Sequence, residues 1–388
     1  MEGYYIAALK ETHGIGDKVL QDLLARFSFA KAVWEADEGE LKQAEVLKED
    51  VLKNFIKFRA SNPYFPEKLM ESCKKCNAKT VAITDENFPF MLKELKNPPS
   101  MLYYKGTLPA KTDLCIAMVG SRNFTNYGKE AAEMIAEDLA RYGVVVVSGA
   151  ARGIDTAAHV GALKAGRTVA VLGCGIDYVY PPENRKLFYE IVEKGGAIIS
   201  EYKPGTSPYP AFFPARNRII SGLSHGTVVV EAGRKSGALI TADHAVNDNR
   251  DVFAVPGSIF SNMSAGPNWL LTEGAIPARC AEDILKEYRG NRRVKAYQNN
   301  DESDKPVVEI KKIEDTKPKE KTLPEMTEDE KLVYQLLSFH APLSKEEIYI
   351  SMPSHIDIQN LNMTLLNLIM KGIAKETDLH KYIRVERS

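Results

Sequence analysis

Between Cys115 and Val255 the sequence alternates short apolar runs with segments of helical period, and no other feature narrows the fold as far. Cys115–Val119, Val144–Val147, Thr168–Leu172, Ala197–Ser200, Thr227–Val230 and Val252–Val255 are strand-sized and rich in β-branched residues. Unbroken runs of this kind call for burial on both faces of a sheet. Helical spacing fills the intervals over Lys129–Tyr142, Ile154–Ala165 and Lys186–Lys194. Ile219, Ile220 and Leu223 share one face of a further short helix, which Pro214 is suited to open, and another helix begins near Ala238. Such βαβ repetition predicts an α/β fold, a parallel sheet covered by helices on both faces. Ligands of these sheets sit outside the carboxyl ends of the strands, at a topological switch point.

The loops expected at those carboxyl ends share a chemistry. Gly120-Ser121-Arg122 follows the first strong strand, Gly149-Ala150-Ala151-Arg152-Gly153 the second and Gly173-Cys174-Gly175 the third, and Gly233-Arg234-Lys235-Ser236-Gly237 follows Thr227–Val230. A glycine-rich turn entering a helix offers free N–H groups and the positive end of the dipole to an anion. One such loop is only what a tight turn needs. Several, with Arg122, Arg152, Arg216 and Lys235, describe an anion-lined crevice. No G-x-G-x-x-G follows the first strand and no Walker A loop is present, which disfavours a nicotinamide enzyme or an ATPase.

Phe213 stands just before Arg216-Asn217-Arg218, with Tyr209 and Phe212 close by. A cationic track with flat side chains is what a phosphate chain with unpaired bases requires, although core packing accounts equally for one of Phe212 and Phe213. Asp155, His159, Asp177, His225 and Glu231 are the titratable groups near loops. His159 falls four residues after Asp155 on one helix face, so a structural hydrogen bond is its simplest role. Asp155 is placed to orient backbone amides or to cap the helix from Ile154. No catalytic triad is legible.

Composition bounds the rest. A net charge of −1 over 388 residues, with a pI near 6.7, means that a nucleic-acid partner needs a local basic groove. Five cysteines, with a single C-x-x-C at Cys73 and Cys76, point to a reducing cytoplasm and to no zinc site. The opening MEGYYIAALKETHG lacks the order of a secretory signal, and the apolar runs are strand-sized, so no membrane span is expected.

Residues 1–62 read as helical, with Thr12-His13-Gly14-Ile15-Gly16 and Asp17–Arg26 similar to a helix-hairpin-helix element or, equally, a contact module. Residues 63–290 hold the α/β core, with Thr80–Thr84 and Met101–Tyr104 as lead-in strands. Residues 291–325 are charged and proline-marked, the composition of a mobile linker. In 326–388, Thr327-x-x-Glu330 and Ser344-x-x-Glu347 are capping boxes. A third helix carries Leu361, Leu365, Leu368 and Ile369, and Ile373–Val385 suits a hairpin, together predicting a winged helix.

Two segments, Phe213-Pro-Ala-Arg-Asn-Arg-Ile-Ile-Ser-Gly-Leu-Ser224 and Lys235-Ser-Gly-Ala-Leu-Ile-Thr-Ala242, resemble signatures of the DNA-processing protein A family (DprA, also called Smf). Gly120-Ser121-Arg122, the run from Ser148 to Asp155, and Tyr180-Pro181 stand upstream in the order and spacing of that family. The resemblance covers about Pro63 to Leu285. It implies an extended Rossmann-like core and a small sterile-alpha-motif-like N-terminal domain. It also implies binding of single-stranded DNA, loading of RecA recombinase in natural transformation on strands coated by single-strand-binding protein, and a homodimer, with neither cofactor nor turnover. In that picture Arg122, Ser148, Gly149, Arg152, Arg216 and Lys235 hold phosphates and Phe213 stacks on a base. Gly120, Ser121, Asn217, Arg218, Ser236 and Gly237 complete the DNA-binding set. Ser207–Ala211 carries no lysine where some relatives have a cation, which leaves Lys203 as the nearest substitute. A rival is fainter: Gly226-Thr227 and Glu231 resemble phosphoribohydrolases of the lysine-decarboxylase-like group, which act on nucleoside monophosphates. Leu223-Ser224-His225 stands where their P-G-G-x-G-T glycines belong.

Overall fold

Nine strands form the central sheet: β1 (Lys79–Ala82), β2 (Met101–Gly106), β3 (Cys115–Val119), β4 (Val145–Ser148), β5 (Thr168–Gly175), β6 (Ala197–Tyr202), β7 (Gly226–Val229), β8 (Asp251–Ala254) and β9 (Ile276–Pro277). Their order is β1-β2-β6-β5-β4-β3-β7-β8-β9. Every pairing from β6 to β9 is parallel, whereas β1 with β2 and β2 with β6 are antiparallel. The lead-in strands therefore extend one edge of a parallel sheet. This is a computed structural model, and it describes residues 1–288, 326–338, 343–352, 357–377 and 381–385. The expected linker at 291–325 lies outside the described residues.

Burial on both faces follows from the two-residue alternation of the strands. In β3, Ile116 and Met118 point to one core with Ile135, Leu139, Ile154 and Phe253. Cys115, Ala117 and Val119 point to the other, with Ile199, Ile219, Ile220 and Leu239. The helices Asn126–Arg141 and Ile154–Ala165 thus cover one face, and Phe212–Gly222 and Gly237–Asn247 the opposite one. Gly161 lets the first pair approach closely, because a Cβ there would sit 2.3 Å from the Glu133 carbonyl oxygen.

Six N-terminal helices, from Glu2–Lys10 to Phe65–Lys75, share a third core with the sheet. Ile6, Leu9, Leu20, Leu23 and Phe55 belong to one cluster with Met101, Tyr103, Ala170 and Ile198. Polar ties reinforce the contact. Asp17 accepts from Lys10 Nζ at 2.7 Å and from the Ser100 amide at 2.9 Å, and Lys203 pairs with Glu11. Lys203 is therefore committed to the N-terminal helices. The Cys73 thiol is buried in the same cluster and pushed up to about 12 by that burial, the behaviour of an apolar filler.

The chain divides into two compact units, Met1–Asp304 and Lys305–Ser388. In the second, the helices Glu328–Leu336, Lys345–Ile350 and Ile358–Met370 enclose Val333, Ile348, Leu361, Leu365 and Leu368. Strands β10 (Leu343–Ser344), β11 (Ala374–Glu376) and β12 (Lys381–Arg384) form an antiparallel sheet in the order β10-β12-β11. Both capping boxes are formed, at Thr327 with Glu330 and at Ser344 with Glu347. Among the described residues, no helix is long and apolar enough to cross a membrane.

Candidate nucleic-acid interface

Strand β3 lies between β4 and β7, so the chain winds one way from β3 to β6 and the other way from β7 to β9. The switch point is at the carboxyl ends of β3 and β7, where the loops 120–125 and 230–236 leave the sheet. These loops are bonded to one another. The Ser121 amide donates to the Glu231 carbonyl at 2.6 Å, and the Ile154 amide donates to the Ser121 carbonyl at 3.2 Å. Glu231, 1% exposed, accepts from the Thr125 amide at 2.8 Å and from the Thr125 hydroxyl at 2.6 Å. Thr125 in turn caps the helix Asn126–Arg141 by accepting from the Gly128 amide. Both carboxylate oxygens of Glu231 are thereby used in holding the switch point together.

Above this frame lies a small array of rings and cations. Phe213, in the first turn of Phe212–Gly222, is half-buried over the end of β5, where a Cβ on Gly173 would approach its Cδ1 to 3.0 Å. The Arg122 guanidinium stands 5.4 Å from the Phe213 ring centre, and the Tyr180 ring lies at 5.5 Å. Such a cation holds the ring through its quadrupole and still offers N–H donors outward. Phe212 instead stacks on Tyr202 at 4.3 Å, so of the two neighbouring aromatics it is the packing member. Arg234 and Lys235 are exposed on the loop after β7. Ser236 caps the helix Gly237–Asn247 by accepting from the Ala238 amide, and Asn217 Nδ2 donates to the Gly237 carbonyl at 3.2 Å. Arg234, which stands beside Lys235 in the sequence, is exposed as well.

Other expected phosphate contacts prove to be internal. Arg216 is 4% exposed; its guanidinium donates to the Gly149 carbonyl at 2.6 Å and to the Val171 carbonyl. Ser148 is fully buried and donates its hydroxyl to the Met118 carbonyl at 2.6 Å. Gly149 is buried too, and a Cβ there would meet Arg216 and Asp155 at 2.6 Å. These three residues join the ends of β3, β4 and β5, with the Arg216 and Ser148 side chains occupied by carbonyls of the sheet. Arg218 pairs with Glu201, and Arg152 pairs on the surface with Glu183. Both cations begin with a carboxylate partner that a phosphate must displace. Of the cations on these loops, Arg122, Arg234 and Lys235 are exposed and in no ion pair among the described residues, and the Arg122 charge also acts on the buried Asp155 carboxyl.

Asp155 and Arg216 are both buried beside Gly149 and act on one another electrostatically. Burial drives the Asp155 carboxyl upward despite Arg216 and the amides of Ala151 and Gly120, and it draws Arg216 down to about 10 despite Asp155. Desolvation thus exceeds mutual attraction on both partners. Asp155 orients amides, as the sequence implies. The structural bond of His159 goes to Thr168, not to Asp155: Nδ1 and the Thr168 hydroxyl lie 2.7 Å apart, and that hydroxyl donates to the Val146 carbonyl. Nδ1 therefore carries the hydrogen. His225 is likewise structural, its Nδ1 meeting the Cys115 amide at 3.2 Å.

Known proteins resemble this chain in sequence and fold. The family model for DNA recombination-mediator protein A matches residues 79–289. DNA processing protein DprA of Bacillus subtilis is 39% identical over 263 residues, spanning 66% of this chain and 88% of that protein. DNA processing protein DprA of Streptococcus pneumoniae is 42% identical over 208 residues, covering 53% of this chain and 73% of the relative. The X-ray structure of DNA processing protein A from Streptococcus pneumoniae superposes with a TM-score of 0.65 at 34% identity, over 74% of this chain and 98% of that one. The matched segment contains the whole switch-point assembly from Gly120 to Gly237, and the chain belongs to the DNA recombination-mediator protein A family.

Proposed function

We propose that this protein binds single-stranded DNA along the carboxyl edge of its sheet and delivers it to a RecA-type recombinase during DNA uptake and recombination. The observation that carries the reading is the Arg122 guanidinium poised over the half-buried Phe213 ring, on an edge that also exposes Arg234 and Lys235. Phosphates need cations that are not internally spent, and unpaired bases need a flat ring. A shallow edge holds some phosphates and one base while neighbouring bases remain accessible, as nucleation of a recombinase filament requires. The protein acts without turnover or cofactor in the cytoplasm, as a homodimer whose two edges raise the effective concentration of a second strand. Strands coated by single-strand-binding protein are its working substrate.

The domain roles belong to the same proposal: a helical N-terminal domain over 1–62, the binding core over 63–290, a linker over 291–325 and a winged helix over 326–388. The helix Ile358–Met370 contains no charged residue, so this last domain serves protein contact and not groove reading. The phosphoribohydrolase rival needs Glu231 as a free carboxylate, whereas Thr125 engages both its oxygens.

Titration with single- and double-stranded DNA of matched length across salt concentrations tests the core reading. Single strands are expected to bind more tightly, with affinity falling as salt rises. Equal affinity for both forms, or binding indifferent to salt, overturns it.

A further inference from the structure

The loop leaving β8 has no part in the track described so far. Strand β8 pairs in parallel with β7, so residues 255–264 leave the same carboxyl edge, beside the loop that carries Arg234 and Lys235. At its tip Ile259 and Phe260 are 85% and 93% exposed, the most exposed large hydrophobic residues among those described. The loop is anchored at several points. The Ala232 amide donates to the Met263 carbonyl at 2.7 Å and the Gly266 amide to the Ala232 carbonyl at 2.8 Å, tying it to the loop after β7. The Tyr127 hydroxyl donates to the Pro256 carbonyl at 2.6 Å, from the helix that follows Arg122. At the tip, the Ser261 amide donates to the Ser258 carbonyl at 3.0 Å and the Phe260 amide to the Ser258 hydroxyl at 3.2 Å.

We propose that Phe260 is a second base-stacking residue, on whose ring a nucleobase of the bound single strand packs. The inference rests on the single-strand reading above and deepens it. Continuity with the cationic edge identifies the occupant: β3, β7 and β8 are consecutive in the sheet and send out Arg122, then Arg234 and Lys235, then Phe260. Area argues the same way. A phenylalanine and its neighbour cover a few hundred Å² at most, whereas a stable protein interface takes about 800 Å² from each partner. A single base needs only one ring. Phe213 sits over β5 and Phe260 beyond β8, four strand spacings apart in the order β5-β4-β3-β7-β8. Four spacings are about 19 Å, which a stacked strand at about 3.4 Å per phosphate covers in about five to six steps, or about six to seven nucleotides. The two rings thus grip opposite ends of one short segment, with the cations between them.

The test uses the full chain with fluorescent oligothymidylates of about four and about twelve nucleotides, lengths set on either side of that span. Phe260→Ala and Phe260→Leu are expected to weaken the longer strand about 5- to 100-fold, the range of one lost base stack. Phe260→Trp should retain affinity, because it keeps a flat ring. The salt slope should be unchanged in all three variants, since no phosphate contact is removed. The short strand should be affected far less, and sedimentation should report an unchanged oligomeric state. Wild-type affinity in Phe260→Ala, retention in Phe260→Leu, or a change of oligomeric state that assigns the tip to a second copy each overturns the inference. If the wild type binds no single strand, the functional reading itself falls. If it binds and Arg122→Ala weakens it while Phe260→Ala does not, the second ring alone is refuted.

Discussion

Replacing Arg216 by alanine separates the structural reading of that residue from the sequence expectation that it holds phosphate. Its guanidinium donates to the Gly149 and Val171 carbonyls, and its charge acts on the buried Asp155 carboxyl nearby. Truncation leaves two carbonyls without a donor and a desolvated carboxyl without its counter-charge. Each carbonyl that loses its donor costs about 1–3 kcal/mol, and loss of the Arg216 charge further disfavours the ionised Asp155 carboxylate. Asp155, already driven upward by burial, relieves part of this by taking up a proton. The net expectation from the two carbonyls is a loss of about 2–6 kcal/mol. The two tryptophans, Trp34 and Trp269, both lie in the first unit, so denaturant unfolding followed by their fluorescence reports that unit alone. Arg216→Lys should recover part of the loss, since an ammonium restores the charge and one carbonyl contact. The reasoning is refuted if Arg216→Ala unfolds within about 1 kcal/mol of wild type while its single-strand affinity and salt slope fall as in Arg122→Ala.

Arg122→Ala and Lys235→Ala should each weaken single-strand binding and reduce the logarithmic salt slope by about 0.7; fluorescence anisotropy from low to high salt measures both. His159, drawn down to about 3 by burial and by Arg216, makes the fold sensitive to acid. Its folded value lies below the ordinary 6.5, so its contribution is present above that value and is lost as pH falls towards 3. Between pH 7 and pH 5 the loss is about 2 kcal/mol, and unfolding of His159→Leu should lack this component of the pH dependence. A chain ending near Arg289 should keep most of its single-strand affinity, because residues 327–388 hold seven Lys and Arg against nine Asp and Glu; a loss matching that of Arg122→Ala refutes this. Glu231→Gln should cost about 1–3 kcal/mol through the Thr125 contacts; the wild-type protein should release no free base from nucleoside monophosphates, and release that Glu231→Gln abolishes would favour the phosphoribohydrolase reading, as product analysis can check.

The parallel sheet was legible in the sequence because its strands are buried on both faces, and a run such as Thr227–Val230 has no other stable place in a chain of this length. The helices were legible by their period, and the capping boxes at Thr327 and Ser344 by the reciprocal bonds that their spacing permits. The direction in which a charged residue points was not. Arg122 and Arg216 look alike in sequence, each a cation beside a glycine-bearing signature, yet one stands over a ring at the surface and the other lies beneath the loops. The difference depends on which strand ends are neighbours: Arg216 is internal because the ends of β4 and β5 bring the Gly149 and Val171 carbonyls to it. Lys203 was spent on Glu11 for a similar reason, since helices 192 residues earlier in the chain pack against its strand end. Phe260 carries no sequence signal, being one aromatic in a loop between a strand and a helix. Local patterning determines elements because its forces act within a few residues, whereas exposure, pairing and the continuity of an edge arise only when distant loops meet at a switch point.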